Sequence, residues 1–167
     1  MKNNTCKILV LTDLKDHSND TLYYAASLSK AIGADMELFH AKSAIEIVET
    51  DSPLTAMRTI NDVCNKTKKR MKKLITPISK EKDIDIKMTY GYGNVKSEIE
   101  YRIRTLQPDV IVLGHRKRKL FSFVGDNIID FVKRKYDGIV ITADDTADVN
   151  FDITKLMPYK SQEELIV

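Results

Sequence analysis

Five short apolar runs alternate with four helix-like segments along this chain, and this alternation constrains the fold more than any other feature of the sequence. The runs are short and bounded by polar residues, and the first, fourth and fifth are rich in branched aliphatic residues, as buried strands are. Each intervening segment repeats apolar residues at intervals of three or four, which predicts an amphipathic helix. The predicted strands are 6–12, 36–41, 84–90, 110–114 and 138–142, and the predicted helices lie within 18–32, 53–79, 94–106 and around 128–132.

Strict alternation of strands and helices predicts an α/β fold, a three-layer, doubly wound, five-stranded parallel sheet with right-handed crossovers. The run Ile84–Tyr90 alternates polar and apolar residues and is therefore expected at a sheet edge. Val110–Gly114 is the most apolar run and is expected at the centre. Ligands of such sheets bind beyond the carboxyl ends of the strands, where the strand order reverses.

The second predicted helix is long and strongly basic. Pro77 is expected to kink or end it near Thr76, because proline lacks a backbone donor and clashes with the preceding turn. The cations of residues 66–73 predict a solvated face, and a nucleic-acid patch is disfavoured because no aromatic side chains are interleaved there for base stacking. The apolar positions expected to face inward are Met57, Ile60, Cys64, Met71, Leu74 and Ile75.

The length of 167 residues suits a single domain. No apolar run reaches the roughly 18–20 residues that a membrane helix needs, and the polar start Met1–Cys6 does not resemble a signal peptide. We therefore expect a cytoplasmic protein. Cys6 and Cys64 lie far apart and in no metal-ligand spacing, so we expect free, buried thiols and no metal site.

Charge is distributed unevenly around the net value of +3. Residues 144–167 contain six acids and two bases, a net charge of −4, which leaves +7 on residues 1–143. We therefore divide the chain into a folded domain, residues 1–143, and an acidic C-terminal tail, residues 144–167. A basic domain attracts anionic partners, and a tail of opposite charge can fold back on it.

Missing motifs exclude several folds of similar size. A response-regulator receiver needs an acceptor aspartate after the third strand, where this chain has Tyr90-Gly91-Tyr92-Gly93. The sequence contains neither the Gly-x-Gly-x-x-Gly of dinucleotide-binding folds nor the Gly-x-x-x-x-Gly-Lys of P-loop proteins. The fold class alone therefore leaves the function open.

Separate segments of the chain resemble the universal stress protein family. The strand Ile8–Asp13, with the helix that ends at Ile32-Gly33-Ala34, is similar to the family's opening unit. Gly93–Ile99 is similar to its Gly-x-Pro-x-x-x-Ile helix start, and Asp109–Gly114 to its fourth strand. The resemblance covers about residues 6–143 and implies an adenine nucleotide alpha hydrolase-like sheet with strand order 3-2-1-4-5. It also implies a homodimer joined along the fifth strand, through Ile139, Val140 and Ile141.

The resemblance further implies a site for ATP or another adenine nucleotide, and the chain departs from the family there. ATP-binding members carry Gly-x-x-Gly, nine residues, and Gly-Ser or Gly-Thr, whose backbone N–H groups close around the phosphates. Gly114 matches the first glycine, but Lys117 replaces the second. Gly125-Asp126 comes two residues early and places a carboxylate where the hydroxyl is usual. The implied site residues are Thr12, Asp13, Ala41, Gly114, Arg116, Lys117, Gly125 and Asp126, with Asp13 near the base and ribose.

Three functions stay open at this point. The first is a non-enzymatic regulatory module of the stress response that binds an anionic small molecule, with weakened or lost ATP binding. The second is an ATP-binding protein with slow ATPase or phosphate-transfer activity, in which Arg116 and Lys117 contact the phosphates, although no positioned general base supports it. The third is an adaptor whose basic surface binds an acidic partner or nucleic acid. His40, at a strand end, is expected to be packed or hydrogen-bonded rather than catalytic.

Overall fold

A computed structural model describes residues 5–15, 18–43, 52–114 and 128–143. Within these ranges five strands and four helices alternate along the chain, as the sequence pattern predicts. None of the helices in these ranges is both long and apolar enough to span a bilayer. The elements are β1 (Lys7–Thr12), α1 (Ser18–Ile32), β2 (Asp35–Ser43), α2 (Pro53–Lys82), β3 (Ile86–Gly93), α3 (Val95–Leu106), β4 (Val110–Gly114), α4 (Ile128–Lys135) and β5 (Ile139–Ala143).

The strands form one parallel sheet in the order β3-β2-β1-β4-β5, which confirms the predicted fold class and strand order. β3 and β5 lie at the two edges, so the edge position expected for the alternating third strand is confirmed. β4 is an interior strand but not the central one, because β1 pairs with both β2 and β4. Since these pairings are all parallel, the carboxyl ends of the strands lie along one edge of the sheet.

Two apolar layers cover the two faces of the sheet. Alternate residues of a strand point to opposite faces. Ile8 and Val10 of β1 therefore pack in the layer formed with α1 and α2, whereas Leu9 and Leu11 pack in the layer formed with α3 and α4. Ala25 of α1 is completely buried, and its short side chain lets this helix lie close to the sheet. The two layers hold the strand ends in fixed positions relative to the helix starts.

The helix α2 continues through Pro77 to Lys82, so it does not end near Thr76, and the alternative of a kink there stays a prediction. Pro77 deprives the Lys73 carbonyl of its helical donor, and both residues lie on the exposed side of the helix. Beyond the proline, Ile78 is 4% exposed and anchors the last turns to the core. Tertiary packing outweighs the local cost of the proline.

The inward-facing prediction for α2 fails in its first half. Met71 is fully buried, whereas Met57 and Ile60 are 64% and 38% exposed. A helix of 30 residues is about 45 Å long. The longest described strand, β2, has nine residues and spans about 30 Å. Met57 and Ile60 are exposed because the helix extends past the sheet that would cover them.

Candidate functional site

The candidate site lies at the carboxyl edge of the sheet, between β1 and β4. The chain leaves β1 for β2 on one side and leaves β4 for β5 on the other, so the strand order reverses at this point. The diverging connections leave a crevice at such a reversal. Leu11 of β1 pairs with Leu113 of β4, so Thr12 lies opposite Gly114. On the other side of β1, Thr12 pairs with His40 of β2, and Ala41 is the next residue. The structure thus brings together four of the predicted residues, Thr12, Asp13, Ala41 and Gly114.

The turn that follows β1 is held by side chains of its own residues. Thr12 Oγ1 accepts a hydrogen bond from the Leu14 backbone N–H at 3.0 Å and donates to Ser18 Oγ of α1 at 2.8 Å. Asp13 Oδ1 accepts from the Lys15 backbone N–H at 3.0 Å. Leu14 has a left-handed backbone with φ of 58°, and its side chain is only 5% exposed, which anchors the turn. These bonds fix the backbone and leave the Asp13 side chain exposed at the crevice.

A buried histidine supports the same turn from β2. His40 is 8% exposed, and its Nδ1 lies 2.9 Å from the Thr12 carbonyl oxygen. Burial lowers the pKa of His40, with Lys42 and Arg70 acting in the same direction, although the Thr12 bond and Asp13 oppose the shift. A neutral imidazole then donates its Nδ1–H to Thr12. The expectation of a hydrogen-bonded, packed histidine is confirmed.

Gly114 has a structural reason of its own to be glycine. A Cβ at this position would lie 2.8 Å from Thr21 Oγ1 of α1. Thr21 is 3% exposed, so its hydroxyl sits in the interface between the helix and the end of β4. The first turn of α1 therefore packs directly against the first glycine of the predicted loop. This contact was not predicted from the sequence, because nothing local marks a threonine that meets a distant strand.

A carboxylate that the sequence analysis missed lies at the end of β3. Glu98, in the first turn of α3, places its side chain over Gly91 and Gly93. A Cβ at Gly93 would lie 2.7 Å from Glu98 Oε1, and one at Gly91 would clash with Oε2. The two glycines therefore make room for the acid. Two glycines just before a helix with glutamate in its first turn were the signal available in the sequence.

Half of the predicted nucleotide residues cannot be placed. Arg116, Lys117, Gly125 and Asp126 lie outside the described residues, as does the predicted tail 144–167. The altered phosphate loop and the boundary at residue 143 therefore remain predictions. Among the described residues, no group of three or more metal-binding side chains is found.

The predicted dimer edge is a real sheet edge. Ile139, Val140 and Ile141 lie on β5, which has β4 as its only neighbour in the sheet of described residues. Ile139 and Val140 are partly buried, and Ile141 is 5% exposed. The Ile141 side chain therefore belongs to the core of this chain, and an interface would use the strand's backbone edge.

Comparisons with known proteins point to one family and one fold. The universal stress protein family model matches residues 5–134. Among similar solved structures, universal stress protein UspA from Lactobacillus plantarum has a TM-score of 0.67 at 18% identity, covering 83% of this chain and 97% of that one. The universal stress protein from Archaeoglobus fulgidus in complex with dAMP has a TM-score of 0.53 at 12% identity, covering 83% and 96%. A family protein from Arabidopsis thaliana with AMP bound has a TM-score of 0.52 at 16% identity, covering 86% and 94%. No curated protein matches the sequence.

Proposed function

This chain belongs to the universal stress protein family, and from that premise we propose that it is a non-enzymatic regulatory module that binds an adenine nucleotide, with a preference for a monophosphate. The observation that carries the proposal is the reversal of strand order between β1 and β4, where Thr12 lies opposite Gly114 at the carboxyl edge and Asp13 and Ala41 lie nearby. Two proteins of the same fold have AMP or dAMP bound. The ligand is therefore proposed by likeness of fold, and its place by the chain's own geometry.

The Asp13 carboxylate is the group proposed to bind the ribose hydroxyls. It is exposed at the crevice, and its backbone is fixed by the turn bonds of Thr12 and by His40 behind it. A carboxylate held in this way accepts hydrogen bonds without losing much conformational freedom on binding. The neutral His40 serves as support for the Thr12 carbonyl.

The preference for a monophosphate rests on the sequence of the predicted loop. Lys117 stands where ATP-binding members have a second glycine, and Asp126 stands where they have a hydroxyl. A side chain at 117 restricts the backbone approach to the phosphates, and a carboxylate at 126 repels an outer phosphate. Arg116 and Lys117 then hold one phosphate by charge-assisted bonds. ATP presents two more phosphates than AMP to this loop and would therefore bind more weakly.

No hydrolytic step is part of the proposal. Asp13 and His40 are titratable groups of the described crevice, and each has a hydrogen bond to backbone that fixes the turn. These bonds support roles in binding and in holding the turn, which is what we propose for both groups.

Isothermal titration with AMP and with magnesium ATP tests the proposal directly. We expect AMP to bind more tightly than ATP, and Asp13→Ala to weaken AMP binding by about 10–100-fold, the range of a hydrogen bond to a charged group. Asp85→Ala is the matched control. Asp85 is an exposed carboxylate that precedes β3, so it lies at the amino ends of the strands, away from the proposed site. Binding of ATP ten times tighter than AMP would show that the loop still wraps a triphosphate. Failure of either nucleotide to bind would remove the function itself.

We further propose that two copies associate along β5 in the cytoplasm. The unpaired edge of a parallel sheet offers backbone donors and acceptors to a second strand. Cys6 and Cys64 are free thiols, which suits a reducing compartment. Sedimentation of the purified protein should give a dimer, and Val140→Lys, which places a charge at that edge, should give a monomer. A wild-type monomer at micromolar concentration would contradict the interface.

A further inference from the structure

A row of exposed apolar side chains lies on the first turns of α2. Leu54, Met57 and Ile60 are 74%, 64% and 38% exposed. They account for three of the five large apolar side chains that are exposed in the described part of the chain, the others being Tyr23 and Tyr101. We call Leu54, Met57 and Ile60 the α2 stripe. Three such residues at intervals of three form a contiguous patch on one helix face.

One end of the stripe lies in line with the face by which α2 packs on the core. Ile60 and Ile78 are 18 residues apart, which is five full turns at 3.6 residues per turn, so their side chains point in the same direction. Ile78 is buried against the core, as are Thr67 and Met71. The buried residues of α2 all lie at or beyond Thr67, in the middle of the helix. Met57 lies about 60° and Leu54 about 120° around the helix from that direction. The stripe therefore begins on the core-facing side at Ile60 and winds away from it toward the start of the helix.

The helix that carries the stripe is strongly basic. Its 30 residues include nine lysines and arginines against Asp62 and Glu81, a net charge of +7. The last 24 residues of the chain, 144–167, carry −4. Opposite charges on two parts of one chain favour their association at ordinary ionic strength. The acidic segment also contains the apolar residues Val149, Phe151, Ile153, Leu156 and Met157.

The topology brings the start of this segment to the same end of the molecule as the stripe. β5 ends at Ala143 on the carboxyl edge, and α2 begins at Pro53 on that edge because it follows the parallel strand β2. The sheet is about 19 Å wide from β5 to β3, at about 4.8 Å per strand spacing. Twenty-four residues reach about 80 Å when extended. The segment is long enough to cross the sheet end and cover the stripe.

We propose that residues 144–167 dock on the α2 stripe of the same chain, with the apolar residues of 149–157 covering Leu54, Met57 and Ile60 and the acids pairing with the cations of α2. The docked segment extends the apolar layer between the sheet and α2 past the sheet edge. It removes from water a patch that the domain's own core is too short to cover. This inference does not depend on nucleotide binding.

Amide hydrogen exchange of the full chain, read by mass spectrometry, tests the docking. The variant Leu54→Asp/Met57→Asp places charges on the stripe at positions that are exposed, so the fold should persist, as circular dichroism will verify. We expect the amides of 144–167 to be protected in the wild-type chain and to lose protection by about tenfold or more in this variant, as burial of one or two aliphatic side chains implies. Tyr101→Asp is the matched control. Tyr101 is 58% exposed on α3, which packs on the opposite face of the sheet, so protection of 144–167 should not change.

Three results would overturn the proposal. Amides of 144–167 that exchange at unfolded rates in the wild-type chain would show that the segment is not docked. Equal protection in the stripe variant and in the wild type would show that it docks elsewhere. Protection that rises with protein concentration would show that a second copy covers the stripe. A chain ending at Ala143 provides the reciprocal measurement, in which the amides of 53–64 should lose protection.

Discussion

Replacing Arg102 by methionine is expected to destabilise the domain far more than removing an exposed ion-pair partner. Arg102 of α3 donates through Nε to Glu37 Oε1 at 2.5 Å and through Nη2 to Oε2, and Thr89 Oγ1 donates to Oε1 at 2.5 Å. The Glu37 side chain is 5% exposed and that of Arg102 is 24% exposed. The Glu37 carboxylate on β2 is thereby linked to α3 through Arg102 and to β3 through Thr89. The sequence contains one sign of it, a glutamate inside the apolar run Met36–Phe39.

The magnitude follows from burial. Arg102→Met leaves the Glu37 carboxylate with Thr89 as its remaining described donor, and removing one partner of a buried ion pair costs about 3–5 kcal/mol. We expect about 3 kcal/mol, the lower end, because water reaches part of the Arg102 side chain. At roughly 2–4 °C per kcal/mol for a domain of this size, the Tm should fall by about 6–12 °C. Glu37→Leu combined with Arg102→Met buries no charge and should recover most of the loss.

Urea unfolding followed by circular dichroism measures these free energies. The control is Lys135→Met, which removes the partner of Glu100 at 3.6 Å on the same side of the sheet, where the side chains are 50% and 40% exposed. That change should cost less than about 1 kcal/mol. Two results would refute the argument that an unpaired, buried Glu37 carboxylate destabilises the variant. One is a loss below about 1 kcal/mol for Arg102→Met, and the other is a double variant no more stable than the single one.

Three other residues give separate tests. Gly114→Ala places a methyl group 2.8 Å from Thr21 Oγ1 and should lower the free energy of unfolding by about 1–3 kcal/mol. Adding Thr21→Ala should restore part of this stability in thermal unfolding, and no recovery would argue against the clash. Because the pKa of His40 is lowered from its ordinary 6.5 by burial, its neutral form stabilises the fold fully above that pH and less as the pH falls below it. His40→Asn should therefore reduce the difference in unfolding free energy between about pH 7.5 and 5.5, and an unchanged difference would contradict this. Burial, with Asp109, raises the pKa of Cys6 from 9.0 to about 11, so at about pH 8 its thiolate is about 100-fold scarcer. Alkylation of Cys6 should be slower in the native protein than in denaturant by a comparable factor, whereas equal rates by mass spectrometry would contradict it.

The sheet and the positions of four candidate residues could be predicted because their signals are local or ordered along the chain. Branched apolar runs and helical periods identified the elements, and the resemblance to a known family supplied the strand order that the pairing confirms. The resemblance implied Thr12, Asp13, Ala41 and Gly114 as site residues, and the rule that parallel strands share a carboxyl edge puts them at the same end of the sheet. All four lie at or near the end of a strand, so their position required no knowledge of side-chain contacts.

Burial and pairing across the fold were decided by tertiary structure alone. Helical period predicted that Met57 and Ile60 face inward, but they are exposed because exposure depends on where the sheet ends relative to a 30-residue helix. The meeting of Thr21 with Gly114 joins residues whose neighbours in sequence carry no trace of the contact. Periodicity specifies which way a side chain points from its own backbone, whereas what it meets is set by the lengths and packing of elements distant in the chain.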